Sequence, residues 1–346
     1  MSGEKAFDIS KGEPLRIGLT MGDPAGIGPE IVVKAICDDS LMSLLRQGNC
    51  GLSVFCDFRT LERAAQIVKI DKSLLRKDKR IDFIDLQNVE PELGFGKPSS
   101  HSGKSSYEYI ENAVMAWKKS EIDALVTAPI SKEALKMAGI KFPGHTELLA
   151  WLLDAEKVLM SFFAGSLRTV LLSTHLSLAE AIKKVKRDNL KEVITLANTE
   201  LNKLLGKKVR LAVAGLNPHA SENGLFGKEE QDEILPAIEH CQAAGIDVSG
   251  PYPADTIFLK ALEGEFDAVV AMYHDQATIP VKTLAFKQAV NVTLGLGMIR
   301  TSVDHGTAYD IAGKGVADHT NLVSAISLAI EFASIQKAES QAGMSG

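Results

Sequence analysis

YHDQATIPVK at residues 273–282 and NVTLGLGMIRTSVDHGTAYDIAGKGVAD at residues 291–318 decide how this chain is read. An apolar run at 268–272 leads into the first stretch and has the length and composition of a buried strand. It ends on Tyr273, His274 and Asp275, so polar side chains stand where a strand gives out. The second stretch mixes apolar residues with Asn291, Arg300, Asp304, His305 and several glycines. It is too polar for a plain core segment and too apolar for a disordered tail. The expectation is a segment that lines an active site.

Working outward, the same pattern recurs. Strands are expected at 15–20, 52–56, 81–84, 123–127, 158–164, 169–173 and 208–215. Helices are expected at 60–68, 105–119, 132–137, 178–184, 188–205, 229–244 and 255–263. In the second of these, Ile110, Val114 and Trp117 recur at helical spacing and form one buried stripe. Residues 88–104, rich in Pro, Gly and Ser, read as a long loop carrying His101. Strands alternating with helices imply an α/β fold with a largely parallel sheet and helices on both faces. No linker separates independent domains. The chain reads as one two-lobed catalytic unit with a cleft, its core at about 15–338, and the first and last dozen residues read as frayed ends.

The 346 residues are 45% hydrophobic and 24% charged, with a formal net charge of -6. Basic runs are short, so a nucleic-acid partner is not expected. Four cysteines, at 37, 50, 56 and 241, form no CxxC, and no secretory leader is visible. Reduced thiols in a cytoplasmic protein are the simplest account. No apolar run approaches the roughly 18 residues that span a bilayer, so no membrane association is expected.

Several residues can carry chemistry. His175, His219 and His274 each follow an apolar strand and precede a loop. Singly, each is more readily a satisfied polar residue than a ligand. Together they raise a catalytic divalent metal, since three imidazoles leave a coordination position open. Lys282, Asn291 and Arg300 suit an anionic substrate, the arginine as a fork and the lysine as a point charge. The alternative is that the two cations lie on the surface. His145 and Thr146 of PGHTE sit at an expected helix start, with Thr146 as a cap or as part of an anion site. The turn MGDPAGIGPEI at 21–31 is open between a packing turn and an anion or nucleotide site, and its spacing is not the GxGxxG fingerprint. The glycines of residues 304–315 suit backbone contacts to an adenosine.

Eight segments in order, TMGDPAGIGPEI, PGHTE, STHLSL, GLNPHA, GPYPADT, MYHDQ, NVTLGL and IRTSVDHGTAYDIAGKG, resemble the 4-hydroxythreonine-4-phosphate dehydrogenase family of pyridoxine 5'-phosphate biosynthesis. The likeness runs from about residue 15 to 318. The last segment is also similar to the nucleotide loop of isocitrate and isopropylmalate dehydrogenases. The resemblance implies two α/β/α lobes sharing a sheet, in a homodimer whose interface holds the active site. It implies His175, His219 and His274 as ligands of one divalent metal (zinc, magnesium or cobalt), with some ligands coming from the partner chain. It implies His145, Thr146, Lys282, Asn291 and Arg300 as substrate-binding residues, and His305, Gly306, Asp310 and Gly313 as cofactor contacts.

The implied reaction is oxidation of the 3-hydroxyl of 4-phosphooxy-L-threonine by NAD, with NADP open. Decarboxylation to 3-amino-2-oxopropyl phosphate follows. Lys282 and His274 are the implied catalytic residues, and the general base is open between Lys282 and a water of the metal site. Ser131, Ser221, Ala277 and Gly297 depart from the family pattern, where His, Gly, Gly and Pro are usual. Paralogues acting on 4-phospho-D-threonate or 4-phospho-erythronate therefore stay in view. A metallohydrolase built on the histidines, or a non-catalytic phosphate-binding protein, are the readings from other classes.

Overall fold

The computed structural model describes residues 14–344. The chain begins with β1 (Leu15–Thr20), α1 (Gly28–Ile36), α2 (Asp39–Gln47), β2 (Cys50–Cys56) and α3 (Phe58–Ile67). Next come β3 (Ile81–Asp85), α4 (Ser100–Lys118), β4 (Ala124–Thr127), α5 (Lys132–Met137) and α6 (His145–Leu152). Then follow β5 (Leu159–Ala164), β6 (Leu167–Leu171), α7 (Leu178–Lys184), α8 (Arg187–Leu205), β7 (Leu211–Ala214) and α9 (Leu235–Ala243). β8 (Val248–Tyr252), α10 (Ile257–Leu262), β9 (Ala268–Ala271), α11 (His274–Ala285), β10 (Val290–Leu294), β11 (Ile299–Ser302) and α12 (Thr320–Met344) complete it. The fold is α/β, with sheets that are mostly parallel. The chain divides into two compact units, residues 1–154 with 298–346, and residues 155–297.

In the first unit the strands run β3-β2-β1-β4-β11, each parallel to its neighbour. Parallel strands covered by helices on both faces read as apolar runs, and every residue of β2 is buried. Leu15, Ile17 and Leu19 of β1 are fully buried, each worth about 1.5–3 kcal/mol. α12 packs on β1, β4 and β11. It does so through Leu322, Ala325, Ile326, Ala329, Ile330 and Ala333, a helical stripe of buried residues. The expectation of a frayed C-terminal dozen is thus corrected, because the helix that carries this stripe runs on to Met344. The expected fraying of the first dozen lies outside the described residues.

α4 also begins earlier than the glycine- and serine-rich sequence suggests. Ser99 accepts from the Ser102 amide at 3.0 Å, and Ser102 Oγ accepts from the Ser99 amide at 3.2 Å. This reciprocal cap starts the helix at Ser100. His101 therefore lies on a helix, paired with Glu90 at 2.8 Å.

In the second unit the strands run β10-β5-β6-β9-β7-β8. β5 pairs antiparallel with β10 and β6, while β6-β9-β7-β8 is parallel. Phe162, Leu167, Leu171, Ile257, Val269 and Val281 anchor its core. The expected helix at 229–244 opens with a π-helical turn at Glu230–Ile234 before α9. Among the described residues no helix is long and apolar enough to cross a membrane.

Gly103 marks the tightest helix contact in the first unit. A Cβ there would lie 2.0 Å from the backbone oxygen of Ala134, just inside α5. Gly103→Ala must push α4 and α5 apart. It is expected to lower the unfolding free energy by about 1–3 kcal/mol, read by urea or thermal denaturation.

Candidate active site

Three neighbouring parallel strands of the second unit, β6, β9 and β7, each send a histidine off their C-terminal ends. Such strand ends are where α/β sheets place their sites. Leu171 of β6 is in register with Ala271 of β9. Past the strands the Leu172 amide donates to the Ala271 carbonyl at 2.8 Å, and the Ser173 hydroxyl donates to the Met272 carbonyl at 2.9 Å. His175 and His274 therefore leave this pair of strands together, and their ring centroids are 5.7 Å apart.

His274 is the first residue of α11, and its Nδ1 lies 2.7 Å from Asp275 Oδ1. With the proton on Nδ1 facing the carboxylate, Nε2 is left as the ring's lone-pair nitrogen. Buried Gln276 ties two strand ends together. Its Nε2 donates to the Gly215 carbonyl at 2.7 Å and its Oε1 accepts from the Met272 amide at 2.6 Å. Lys282 is half-buried two turns further along α11. Asn291 stands in β10 opposite Phe162, and its Oδ1 is sealed from water with no hydrogen-bond partner.

His219 arrives by a different turn. Residues 219–223 all have left-handed backbones, with φ of 54°, 50°, 66°, 46° and 58°. For non-glycine residues that costs about 1–2 kcal/mol each. The His219 ring lies 6.3 Å from the Phe226 ring. Among the described residues no three His, Cys, Asp or Glu side chains are grouped to hold a metal. Of the three expected ligands, the chain itself brings together His175 and His274. Two imidazoles, one held in a defined tautomer by a carboxylate, are a donor set that fits a divalent ion such as zinc or cobalt.

The first unit carries the other cluster. Arg300 of β11 is 3% exposed, and its Nη2 donates to Thr127 Oγ1 at 2.7 Å. Burial pulls its guanidinium down to about 9, against a raising effect from Glu147, so it remains a cation at neutral pH. His145 is the first residue of α6, and Gly144, not Thr146, occupies the cap position without a side-chain bond. The capping role expected of Thr146 is thus corrected. An extended glycine ends the preceding loop, which leaves Thr146 inside the first turn, where backbone amides lack helical partners. Burial, and then the Arg300 charge, hold the His145 imidazole well below its usual range. The ring is neutral, and its Nε2 is sealed from water and unpartnered. An unmet buried polar atom costs about 1–3 kcal/mol, which a substrate hydrogen bond would recover.

The turn at 21–31 is a packing turn. The amides of Asp23, Ala25, Gly26 and Ile27 donate to Pro129 O, Asp23 Oδ1, Asp23 O and Thr307 O at 2.8–3.0 Å. Gly22, at φ 76°, passes so close to Pro129 that a Cβ would meet its oxygen at 2.4 Å. These donors are used within the protein, and what the turn holds is the 305–315 loop. Tyr309 Oη donates to Asp23 Oδ2 at 2.7 Å, and the Gly313 amide donates to Glu30 Oε1 at 2.6 Å. Lys34 Nζ donates to Gly315 O at 2.9 Å. Burial raises the Asp23 carboxyl above its ordinary range, although its hydrogen bonds oppose this. Of the expected cofactor contacts, His305, Gly306 and Asp310 are exposed, whereas the Gly313 amide is occupied by Glu30. Thr127, Gln276 and Glu30 are not among the residues the sequence points to, because each acts through a partner remote in sequence.

A family model described as pyridoxal phosphate biosynthetic protein PdxA matches residues 48–329. D-threonate 4-phosphate dehydrogenase of Cupriavidus necator is 45% identical over 327 residues, covering 92% of this chain and 97% of that protein. D-threonate 4-phosphate dehydrogenase of Salmonella typhimurium is 41% identical, covering 93% and 100%. The crystal structure of a 4-hydroxythreonine-4-phosphate dehydrogenase from Burkholderia phymatum has a TM-score of 0.80 and 44% identity, covering 93% and 99%.

The shifted His145 makes stability depend on pH. Its folded pKa lies below the ordinary 6.5, so below about pH 6.5 the unfolded chain binds the extra proton more readily. Thermal stability should fall as pH drops from there towards the folded pKa, and His145→Gln should flatten that part of the profile. In the left-handed turn, Ser221 (φ 66°) stands where glycine is at ease. Ser221→Gly removes the Oγ acceptor of the Gly224 amide, but that amide keeps the Ser221 carbonyl at 3.1 Å. The expected gain is about 0.5–1 kcal/mol in unfolding free energy, measured by urea denaturation.

Proposed function

This chain belongs to the family of the pyridoxal phosphate biosynthetic protein PdxA and is an oxidoreductase, and from that membership we propose that it oxidises the 3-hydroxyl of D-threonate 4-phosphate with NAD. Oxidation of that carbon gives a β-keto acid. Loss of its carboxylate as CO2 leaves dihydroxyacetone phosphate, and NAD leaves as NADH. The observation that carries this choice of substrate is the name shared by curated relatives 41–45% identical over more than nine-tenths of the chain.

The first unit supplies anion recognition. Arg300, sealed from water and steadied by Thr127, offers a fork to the phosphate or the carboxylate. The amides at the start of α6, beside His145 and Thr146, favour the same charges. Neutral His145 adds a hydrogen bond without adding charge. In the second unit, Asn291 Oδ1 is an acceptor suited to a substrate hydroxyl, and Lys282 is the candidate for taking the hydroxyl proton.

His175 and His274 would hold one divalent ion, zinc, magnesium or cobalt. Asp275 fixes the His274 tautomer, and His219 would be the third donor, the site being completed in a homodimer. When bound, such an ion polarises the substrate oxygen and then the ketone that accepts electrons in decarboxylation. The exposed backbone at His305, Gly306 and Asp310 would meet the NAD adenosine. No disulfide joins the four cysteines, three of which are buried, and this suits the reducing cytoplasm.

A second reading keeps the mechanism and exchanges the substrate for 4-phosphooxy-L-threonine. The name of the Burkholderia phymatum structure supports it. NADH production by the purified protein, followed by absorbance with each substrate and with or without a chelator, decides between them. Chelator-sensitive turnover of D-threonate 4-phosphate is expected. Turnover of the threonine substrate alone would move the protein to vitamin B6 synthesis. No NADH from either substrate would sink both readings.

A further inference from the structure

Glu230 is 2% exposed, stands on a π-helical turn, and no role follows for it from the chemistry above. Its Oε1 accepts from the Leu216 amide at 2.8 Å and the Asn217 amide at 2.7 Å. Its Oε2 accepts from Asn217 Nδ2 at 2.9 Å, and the same Nδ2 donates to Glu229 Oε2 at 2.8 Å. A charge so buried is held by directed donors, and here the donors come from the two residues just after β7 and Gly215. Directly after them the chain enters the left-handed run that begins at His219. Pro218, between Asn217 and His219, limits how far the imidazole can wander once Asn217 is fixed. The approach is close on both sides. A Cβ on Gly215 would lie 3.3 Å from Glu230 Oε1 and 3.0 Å from Ala220 Cα. The π-turn adds a residue to the helix and so presents Glu230 to this loop, a placement typical of functional sites.

We propose that Glu230 is a positioning residue, whose carboxylate clamps residues 216–217 and so sets the strained turn that aims His219 at the metal. The inference rests on the reading of His219 as a metal donor. It gives the left-handed turn a function, since the clamp adds to the turn's own hydrogen bonds in holding a backbone region that its five non-glycine residues disfavour.

Apo-protein titrated with Co2+ gives both an affinity and a ligand-field spectrum, neither of which needs turnover. Glu230→Ala should weaken Co2+ binding about 10–100-fold and alter the visible spectrum, as loss of outer-shell support does elsewhere. Glu230→Gln retains an oxygen for the two backbone amides and should bind within about threefold of the parent. Gly103→Ala, destabilised in the other unit, should leave Co2+ affinity unchanged and so controls for a general loss of stability. If Glu230→Ala does not fold, Glu230→Asp takes its place, with the charge kept but the oxygens drawn back by one methylene, and the same loss is expected. His219→Ala separates the two ideas. If His219→Ala weakens binding while the folded Glu230 variants match the parent, the clamp is overturned and the metal reading stands. If His219→Ala itself binds Co2+ as tightly as the parent, the metal reading of His219 falls and takes the clamp with it.

Discussion

The parallel register of β6, β9 and β7 is the constraint on which the second unit depends. Parallel neighbours end on the same side of a sheet, so whatever follows them is delivered to one edge. Leu171 beside Ala271, and Val213 beside Val270, place the three histidine-bearing loops along that edge. The strands are short, β7 and β9 wholly buried and β6 buried but for Arg168, and their apolar side chains hold the register. A slip of one residue on β6 would exchange the side chains of its two faces and carry His175 away from His274. Packing energy and site geometry are therefore one requirement at these strands.

The two units meet the cost of buried polar chemistry differently. In the first, Arg300 is a cation sealed inside the protein, steadied by Thr127 and by the field of Glu147. Beside it the His145 ring is kept neutral, because a second positive charge there would be buried and repelled. In the second, the buried Glu230 carboxylate is met by directed donors, and backbone strain lies beside it. Five left-handed residues lie between Pro218 and Gly224, and the Glu230 carboxylate occupies the Leu216 and Asn217 amides just before them.

Much of this was legible from residue order. The strand at 15–20 was readable from the alternation of Leu15, Ile17 and Leu19, that at 268–272 from its unbroken apolar run, and α8 because its stripe has helical period. His175 and His274 could be singled out because each follows an apolar run. The early start of α4 was hidden, since Ser99, Ser100, Ser102 and Gly103 read as loop until a reciprocal Ser99–Ser102 cap is seen. The polar tail of α12 read as fraying because its anchor lies upstream, in the stripe from Leu322 to Ala333. Thr127, Gln276 and Glu230 were silent because a lone Thr, Gln or Glu has no periodicity to betray its partner.

By itself the sequence determined the α/β class, the family, and the residue types a phosphorylated, metal-assisted oxidation would use, since these follow from local pattern and motif order. Only the tertiary structure decided which of them meet. His175 and His274 converge through strand register while His219 arrives on a left-handed turn, and the 21–31 turn holds, through the Asp23 carboxylate and the Ile27 amide, a loop almost 300 residues distant in sequence. Those outcomes rest on long-range contacts, in which each partner is defined by the fold of the other. No local reading of spacing or propensity contains that information.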